Sequence, residues 1–384
     1  MNAEEYLESI MPSRDEVDRF LTRAKPSKPQ PNRGWIHDPE LGWVHDDSVH
    51  DSDGVGGTRT FYSYEEDGAR RVLNAHDQSS RIHTYGDSFT HCDQVSDGET
   101  WQEYLAAHLG EPVRNYGVGG YGVYQAYRRM RKIEREGNHI AEYIILNIYD
   151  DDHFRSLDSW RRLRFGRGSV CGYTLPHLRV NVEKDEYIER ENLLQNPEDV
   201  YKLCDRDWVI EHFQDDPVLK TALALKVDEG ASPEDLQPVA VSFGLPSNLV
   251  TADEAGAAIR KLHTEAALFS TRCVVEMTER FCEETGKKLM VVLSFGQGNI
   301  LRALNSEPLF DQTLVDWLVT RSYPVFDMRE AFVEDFKSSS VDPKSYLARY
   351  YNGHHSPAGN FFTAWALKDT IVEWLNPKPR PYSQ

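Results

Sequence analysis

The run Tyr143-Ile-Ile-Leu-Asn-Ile148 constrains this chain more than any other stretch. A strand with one wet face alternates apolar and polar residues. A nearly unbroken apolar run marks a strand covered on both faces, the habit of parallel sheets flanked by helices. Further strands are predicted at Arg81–Tyr85, where Ile82 and Thr84 alternate, and at Val113–Tyr116, Lys288-Leu-Met-Val-Val-Leu-Ser294 and Val325-Phe-Asp327. Helical patterns lie between them. The first opens on the capping box Ser96-x-x-Glu99, turns Trp101, Tyr104, Leu105 and Leu109 to one face and stops at Gly110. A second carries Val123, Tyr127, Met130 and Ile133. Others are predicted at 262–284 and near 310–321, and a last one, with Phe361, Ala364, Trp365, Leu367, Ile371 and Trp374, follows His354. Strands alternating with helices predict a parallel sheet between two helical layers.

All strands of such a sheet end on one edge, and ligands bind there. Four polar or glycine-rich loops follow the predicted strands and should meet at that edge. They are Gly86-Asp-Ser88, Gly117–Gly122, Asp150-Asp-Asp-His153 and Asn352-Gly-His-His355. A glycine at a strand end permits a sharp turn, from which the Ser88 hydroxyl can project. Taken alone, the tripeptide reads equally as a β-turn whose Asp and Ser satisfy local backbone groups.

The chain of 384 residues has room for two domains, or for one domain with a long insertion. An apolar fraction of 40% and eight tryptophans exclude wholesale disorder. The net charge of −19, from 43 basic and 62 acidic residues, argues against non-specific binding to nucleic acid or anionic membrane. Cys92, Cys171, Cys204, Cys273 and Cys282 are scattered and lack CxxC spacing, which implies neither a zinc framework nor a disulfide scaffold and suits a reducing compartment. The N-terminus is acidic without an apolar h-region, and no apolar run reaches membrane-spanning length. The expectation is a soluble cytoplasmic protein.

Four parts are predicted: an N-terminal extension (1–78), a first core part (79–155), an insertion or cap (156–260) and a second core part (261–378). The extension should hold an amphipathic helix to about residue 25, an extended link from Lys25 to Arg33, and short aromatic strands. Its Trp35/Trp43 and Phe61/Tyr62/Tyr64 read as core aromatics. Near the start of the insertion, Arg161, Arg162, Arg164 and Arg167 either hold an anionic group or balance an acidic face.

The ordered combination Gly86-Asp-Ser-Phe-Thr90, Glu99-Thr-Trp101 and Asn115-Tyr-Gly-Val-Gly-Gly-Tyr-Gly122 with Gln125 resembles the first two sequence blocks of the SGNH (GDSL-type) hydrolase superfamily. The likeness runs over about 80–155 and 262–375. It implies a flavodoxin-like three-layer α/β/α fold with a central parallel sheet. It also implies esterase, lipase or acyltransferase chemistry, with a small-molecule ester as partner and no cofactor. By the resemblance Ser88 is the nucleophile and its N–H the first oxyanion donor, with the Gly120 N–H as the second. The base falls on His354, five residues before Gly359 and followed by Ser356-Pro357, with His355 as the alternative.

Two positions depart from the family pattern. Where an Asp usually orients the base, this chain has Asn352, which can accept the ring N–H but adds no charge; a Ser–His dyad, or an acid from elsewhere such as Asp342, would then have to serve. Where an Asn usually gives a third oxyanion donor, it has Asp151, which when ionised repels an oxyanion. The resemblance therefore implies a serine hydrolase of an O-acyl ester of a small metabolite or saccharide. An acyltransferase, or a catalytically impaired binding protein on the same scaffold, is the alternative. The Asp150–His153 run also suits a hard divalent cation, but neighbours on a strand face opposite ways, so it reads first as an Arg155 ion pair or as caps.

Overall fold

The computed structural model describes residues 1–23, 34–136, 139–226, 233–246 and 255–383. The predicted link Lys25–Arg33 lies outside them. Five parallel strands form the main sheet: β1 (Ile82–Tyr85), β2 (Val113–Asn115), β3 (Tyr143–Tyr149), β4 (Lys288–Ser294) and β5 (Val325–Asp327), in the order β2-β1-β3-β4-β5. Residues Tyr143 to Ile148 are buried throughout, as a strand covered on both faces requires. The pairing is in register: Ile82 lies beside both Val113 and Tyr143, and Lys288 beside Tyr143.

Side chains on β1 show how the layers are laid. Thr84 faces the helix Trp101–Leu109, where Gln102 Nε2 donates to its Oγ1 at 3.0 Å. The helix Pro357–Trp374 packs on that same helix. His83 and Tyr85 point the other way, to Glu134 of the helix Val123–Glu136, at 2.6 and 2.7 Å. Lys287 closes this buried group with an ion pair to Glu134 at 2.8 Å. The result is the three-layer α/β/α arrangement. Chain direction across the sheet reverses between β1 and β3, the switch point outside whose carboxyl ends open α/β sheets form a ligand crevice.

By its contacts the chain divides into two compact bodies. His45–Asp152 and Val275–Gln384 make up the one that contains the sheet. The cut differs from the predicted extension ending at 78, and Arg70 shows why. Its backbone N–H donates to the Asn115 carbonyl at 2.8 Å beside β2, and its side chain is buried. Residues 45–78 are thus built into the sheet-bearing body.

Trp35–Val44, His153–Val274 and the N-terminal helices form the other body. Two helices, Ala3–Ile10 and Arg14–Arg23, replace the single predicted one, because Met11 precedes Pro12 and takes an extended ψ of 140°. Trp43 is a core aromatic as expected: its indole N–H donates to the Gly172 carbonyl at 3.0 Å and Phe20 meets it edge-on. The hairpin His177–Asn181/Glu186–Arg190 and several helices complete the body. The four arginines noted near the start of the predicted insertion are engaged within this body: Arg161 and Arg164 with Asp158, Arg162 and Arg167 with Glu16. Among the described residues, no helix is long and apolar enough to cross a membrane.

Candidate active site

β1 ends at Tyr85, and the chain turns through Gly86 into the short helix Ser88–His91. A Cβ on Gly86 would stand 2.1 Å from Thr90 Oγ1 and 2.5 Å from the Asn147 carbonyl, so only glycine fits this turn. Asp87 caps the helix, its Oδ1 accepting from the Phe89 N–H at 2.8 Å. The next two N–H groups both reach the Asp87 carbonyl. The Ser88 N–H alone is left without an acceptor among the described residues. The start of this helix therefore offers a free, positively polarised donor beside a hydroxyl.

The second loop presses against the same helix from the end of β2. A Cβ on Gly117 would lie 2.2 Å from the His91 nitrogen, so backbone approaches backbone with no room for a side chain. Farther along, the Gly119 N–H donates to His45 Nε2 at 2.8 Å, and Gly120 turns with φ +83°.

His354 arrives from far along the chain. Tyr351-Asn352 and His354-His355 pair antiparallel across Gly353, which turns them with φ +83°. His354 Nε2 stands 2.9 Å from Ser88 Oγ, and its Nδ1 lies 3.0 Å from Gln94 Oε1. The hydrogen bonds fix which ring nitrogen carries the proton. Gln94 Oε1 also accepts from the His354 backbone N–H at 2.8 Å, while its amide nitrogen donates to the Asp53 carbonyl at 3.3 Å. An N–H requires an acceptor and a carbonyl requires a donor, so the amide is oriented by both ends. Nδ1 must then carry the hydrogen, and Nε2 turns a lone pair to the Ser88 hydroxyl. That is the tautomer a general base needs.

The loop that carries Gln94 is clamped from within. Buried Arg70 donates to the carbonyls of His91 (2.6 Å), Cys92 (2.8 Å) and Val95 (2.5 Å) and to Asp97 Oδ1 (3.1 Å). Tyr62 OH accepts from the Gln94 N–H at 2.7 Å. Beside the clamp, Tyr64 OH meets His91 Nε2, and His91 Nδ1 makes a short contact with Asp93 Oδ1. Burial works to raise the Asp93 carboxyl; the His91 imidazole, with smaller help from His354 and His45, overcomes it and holds the group well below the usual carboxylate range. Burial likewise lowers His91 and His45. The Asp93 side chain keeps 26% of its surface open, so an ionised carboxylate borders the crevice.

His45, His91 and Asp93 bring candidate metal-ligand atoms within 4.8 Å of one another. Their geometry does not suit an ion. The two imidazoles stack at 4.2 Å with planes 22° apart, so their in-plane lone pairs run side by side instead of converging. His91 is engaged at both nitrogens, and His45 Nε2 holds the Gly119 N–H. The Asp150–His153 run disperses as well. Asp150 accepts from the Gly296 N–H and Asn299 Nδ2, Asp152 from the Tyr149 N–H, and His153 meets Thr271 Oγ1.

The remaining predicted residues divide. His355 is buried, and Phe89 is wedged between the two histidines, its ring 5.1 Å from His354 and 5.0 Å from His355. Burial, then the neighbouring His354, lowers His355 to about 3, and its Nε2 has no hydrogen-bond partner among the described residues. Asn352 does not orient the base: its amide donates to the Asp53 carbonyl at 3.4 Å. Asp342 caps the helix Pro343–Leu347 and makes its bonds there. Asp151 is half-buried just past β3; burial raises the Asp150 carboxyl, and the charge of Asp151 adds to it.

Gln94, Asp93 and Arg70 were not foreseen from the sequence. The available signal was the polar Asp93-Gln94 pair between the nucleophile turn and the capping box, where a loop needs only small residues. Comparison with protein-family models and with curated proteins finds no match to this chain.

Proposed function

We propose that this protein is a serine hydrolase of the SGNH type, cleaving an O-acyl ester of a small metabolite or saccharide. The observation that carries the reading is the 2.9 Å contact between Ser88 Oγ and a His354 Nε2 whose tautomer leaves it a lone pair. Ser88 Oγ attacks the ester carbonyl as its proton passes to Nε2. The charge on the tetrahedral oxygen meets the unoccupied Ser88 N–H and the N–H of Gly120. The imidazolium then protonates the departing alkoxide, the C–O bond breaks, and an acyl-serine remains. Water repeats the sequence in reverse and frees the acid. The ester is expected to be a small molecule. No disulfide joins the cysteines among the described residues, in keeping with a reducing cytoplasm.

Reaction with a fluorophosphonate tests the reading. Stoichiometric labelling that disappears in Ser88→Ala and His354→Ala, but survives within about threefold in His355→Phe, is the expected result. An unlabelled wild-type protein would remove the hydrolase reading and leave a non-catalytic binding protein. If labelling occurs but the acyl group is passed to an added alcohol in preference to water, the enzyme is an acyltransferase.

A further inference from the structure

Position 94 is an awkward place for glutamine. Its backbone is left-handed, with φ +70°, and Cys92 two residues earlier is left-handed too, with φ +66°. A residue with a Cβ is disfavoured there by about 1 kcal/mol or more, and glycine or asparagine is the ordinary occupant. The strain is retained at the residue whose side chain reaches His354. Neither Asn352 nor Asp342, the two candidates the sequence offered for orienting the base, makes that contact.

We propose that Gln94 is the positioning residue of the catalytic base, a neutral amide filling the role that a carboxylate usually has. The inference rests on the hydrolase reading for its consequence, though its geometry is independent of it. One oxygen, Oε1, does two things at once. It receives the Nδ1–H and so selects the tautomer, and it receives the backbone N–H of the same residue and so sets the position of the ring root. A carboxylate could make both contacts, but it could not donate to the Asp53 carbonyl as Nε2 does. The amide therefore ties three segments together: the Asp53 turn, the nucleophile loop and the base. Because it is neutral, it supplies orientation without the charge that would stabilise an imidazolium.

Three variants test this: Gln94→Met, Gln94→Glu and Gln94→Gly. Methionine matches the shape and removes the acceptor. Glutamate restores an acceptor and loses the donor. Glycine relieves the left-handed backbone. The first readout needs no catalysis: nitrogen-15 NMR of the histidine rings, with His354→Ala used to assign the resonance, reports which nitrogen is protonated. The expected result is an Nδ1–H signature in wild type and Gln94→Glu, replaced in Gln94→Met and Gln94→Gly by the Nε2–H form. The fluorophosphonate labelling rate should fall on the order of a hundredfold or more in Met and Gly, the scale of a wrong-tautomer defect, and stay within about tenfold of wild type in Glu. Circular dichroism melting distinguishes misfolding, since a purely structural role would cost Glu and Met alike. An unchanged tautomer in Gln94→Met would overturn the assignment. A wild-type protein that shows the Nδ1–H form yet takes no label would retain Gln94 as the ring's anchor and discard the hydrolase.

Discussion

Replacing Arg70 by methionine isolates the clamp that shapes the site. The guanidinium is 2% exposed and serves three backbone carbonyls and one carboxylate. Methionine keeps the length and the apolar stem but supplies no donor. Each buried acceptor left unpaired costs about 1–3 kcal/mol. Asp97 retains its bond from the Ser63 N–H, the His91 carbonyl its bond from Asn115 Nδ2, and water can enter the loosened loop, so the smaller end of the range applies to each group. The expected loss is about 3–5 kcal/mol, a large part of the about 5–15 kcal/mol that holds most domains together. Guanidinium unfolding followed by tryptophan fluorescence measures it. The labelling rate should fall further than the unfolded fraction explains, because the clamped carbonyls of Cys92 and Val95 flank Asp93 and Gln94. Arg70→Lys should recover part of the stability, since an ammonium cannot reach in a planar fork to all four acceptors. A loss below about 1 kcal/mol in Arg70→Met would refute the claim that the guanidinium organises this loop.

Two further perturbations address charge. Asp93 is held ionised beside the crevice, within electrostatic reach of His354. Asp93→Asn should slow fluorophosphonate labelling about tenfold at neutral pH, equivalent to about 1.4 kcal/mol, without changing the Ser88 site occupancy; an unaltered rate would show that the charge is idle. Glu134 is the second. Burial would raise it, but hydrogen bonds and charge from His83, with help from Lys287 and Tyr85, bring it down to about 2. A folded pKa below the unfolded one gives stability that is present above pH about 4.5 and lost as pH falls toward 2, worth about 3 kcal/mol. Glu134→Gln should therefore flatten stability against pH across that acid window, and acid titrations with parallel slopes would refute the assignment.

The fold was largely legible because its signals are local. The unbroken apolar run at 143–148 and the helices between strands follow from side-chain periodicity alone, and the Ser88 turn follows from a glycine that nothing else can replace. His354 was separable from His355 by its spacing, and Phe89 supplies the physical reason that one faces the serine and the other the interior. The orienting group was not legible. An amide oxygen can be presented by any residue that the fold brings near, and Gln94 is brought near by a left-handed turn and an arginine 24 positions earlier, neither of which leaves a periodic trace. That residues 45–78 join the sheet-bearing body has a related cause. Arg70 reads on paper as a surface charge, and only tertiary structure reveals three carbonyls waiting for it.

The two halves of the candidate site stand 266 positions apart in the chain, and no local element joins them. Closing so long a loop is slow, because its entropy must be surrendered before the contact can reward it. Sheet pairing of β1 with β3 and of β3 with β4 has to precede the meeting, since these strands carry the edge on which both residues sit. The Ser88–His354 contact is thus a late event in folding, and a partly folded chain with its strands and helices in place would still lack a base for its serine. On the proposed hydrolase reading, a newly made molecule would have no activated serine until the segment carrying His354 had docked beside Ser88.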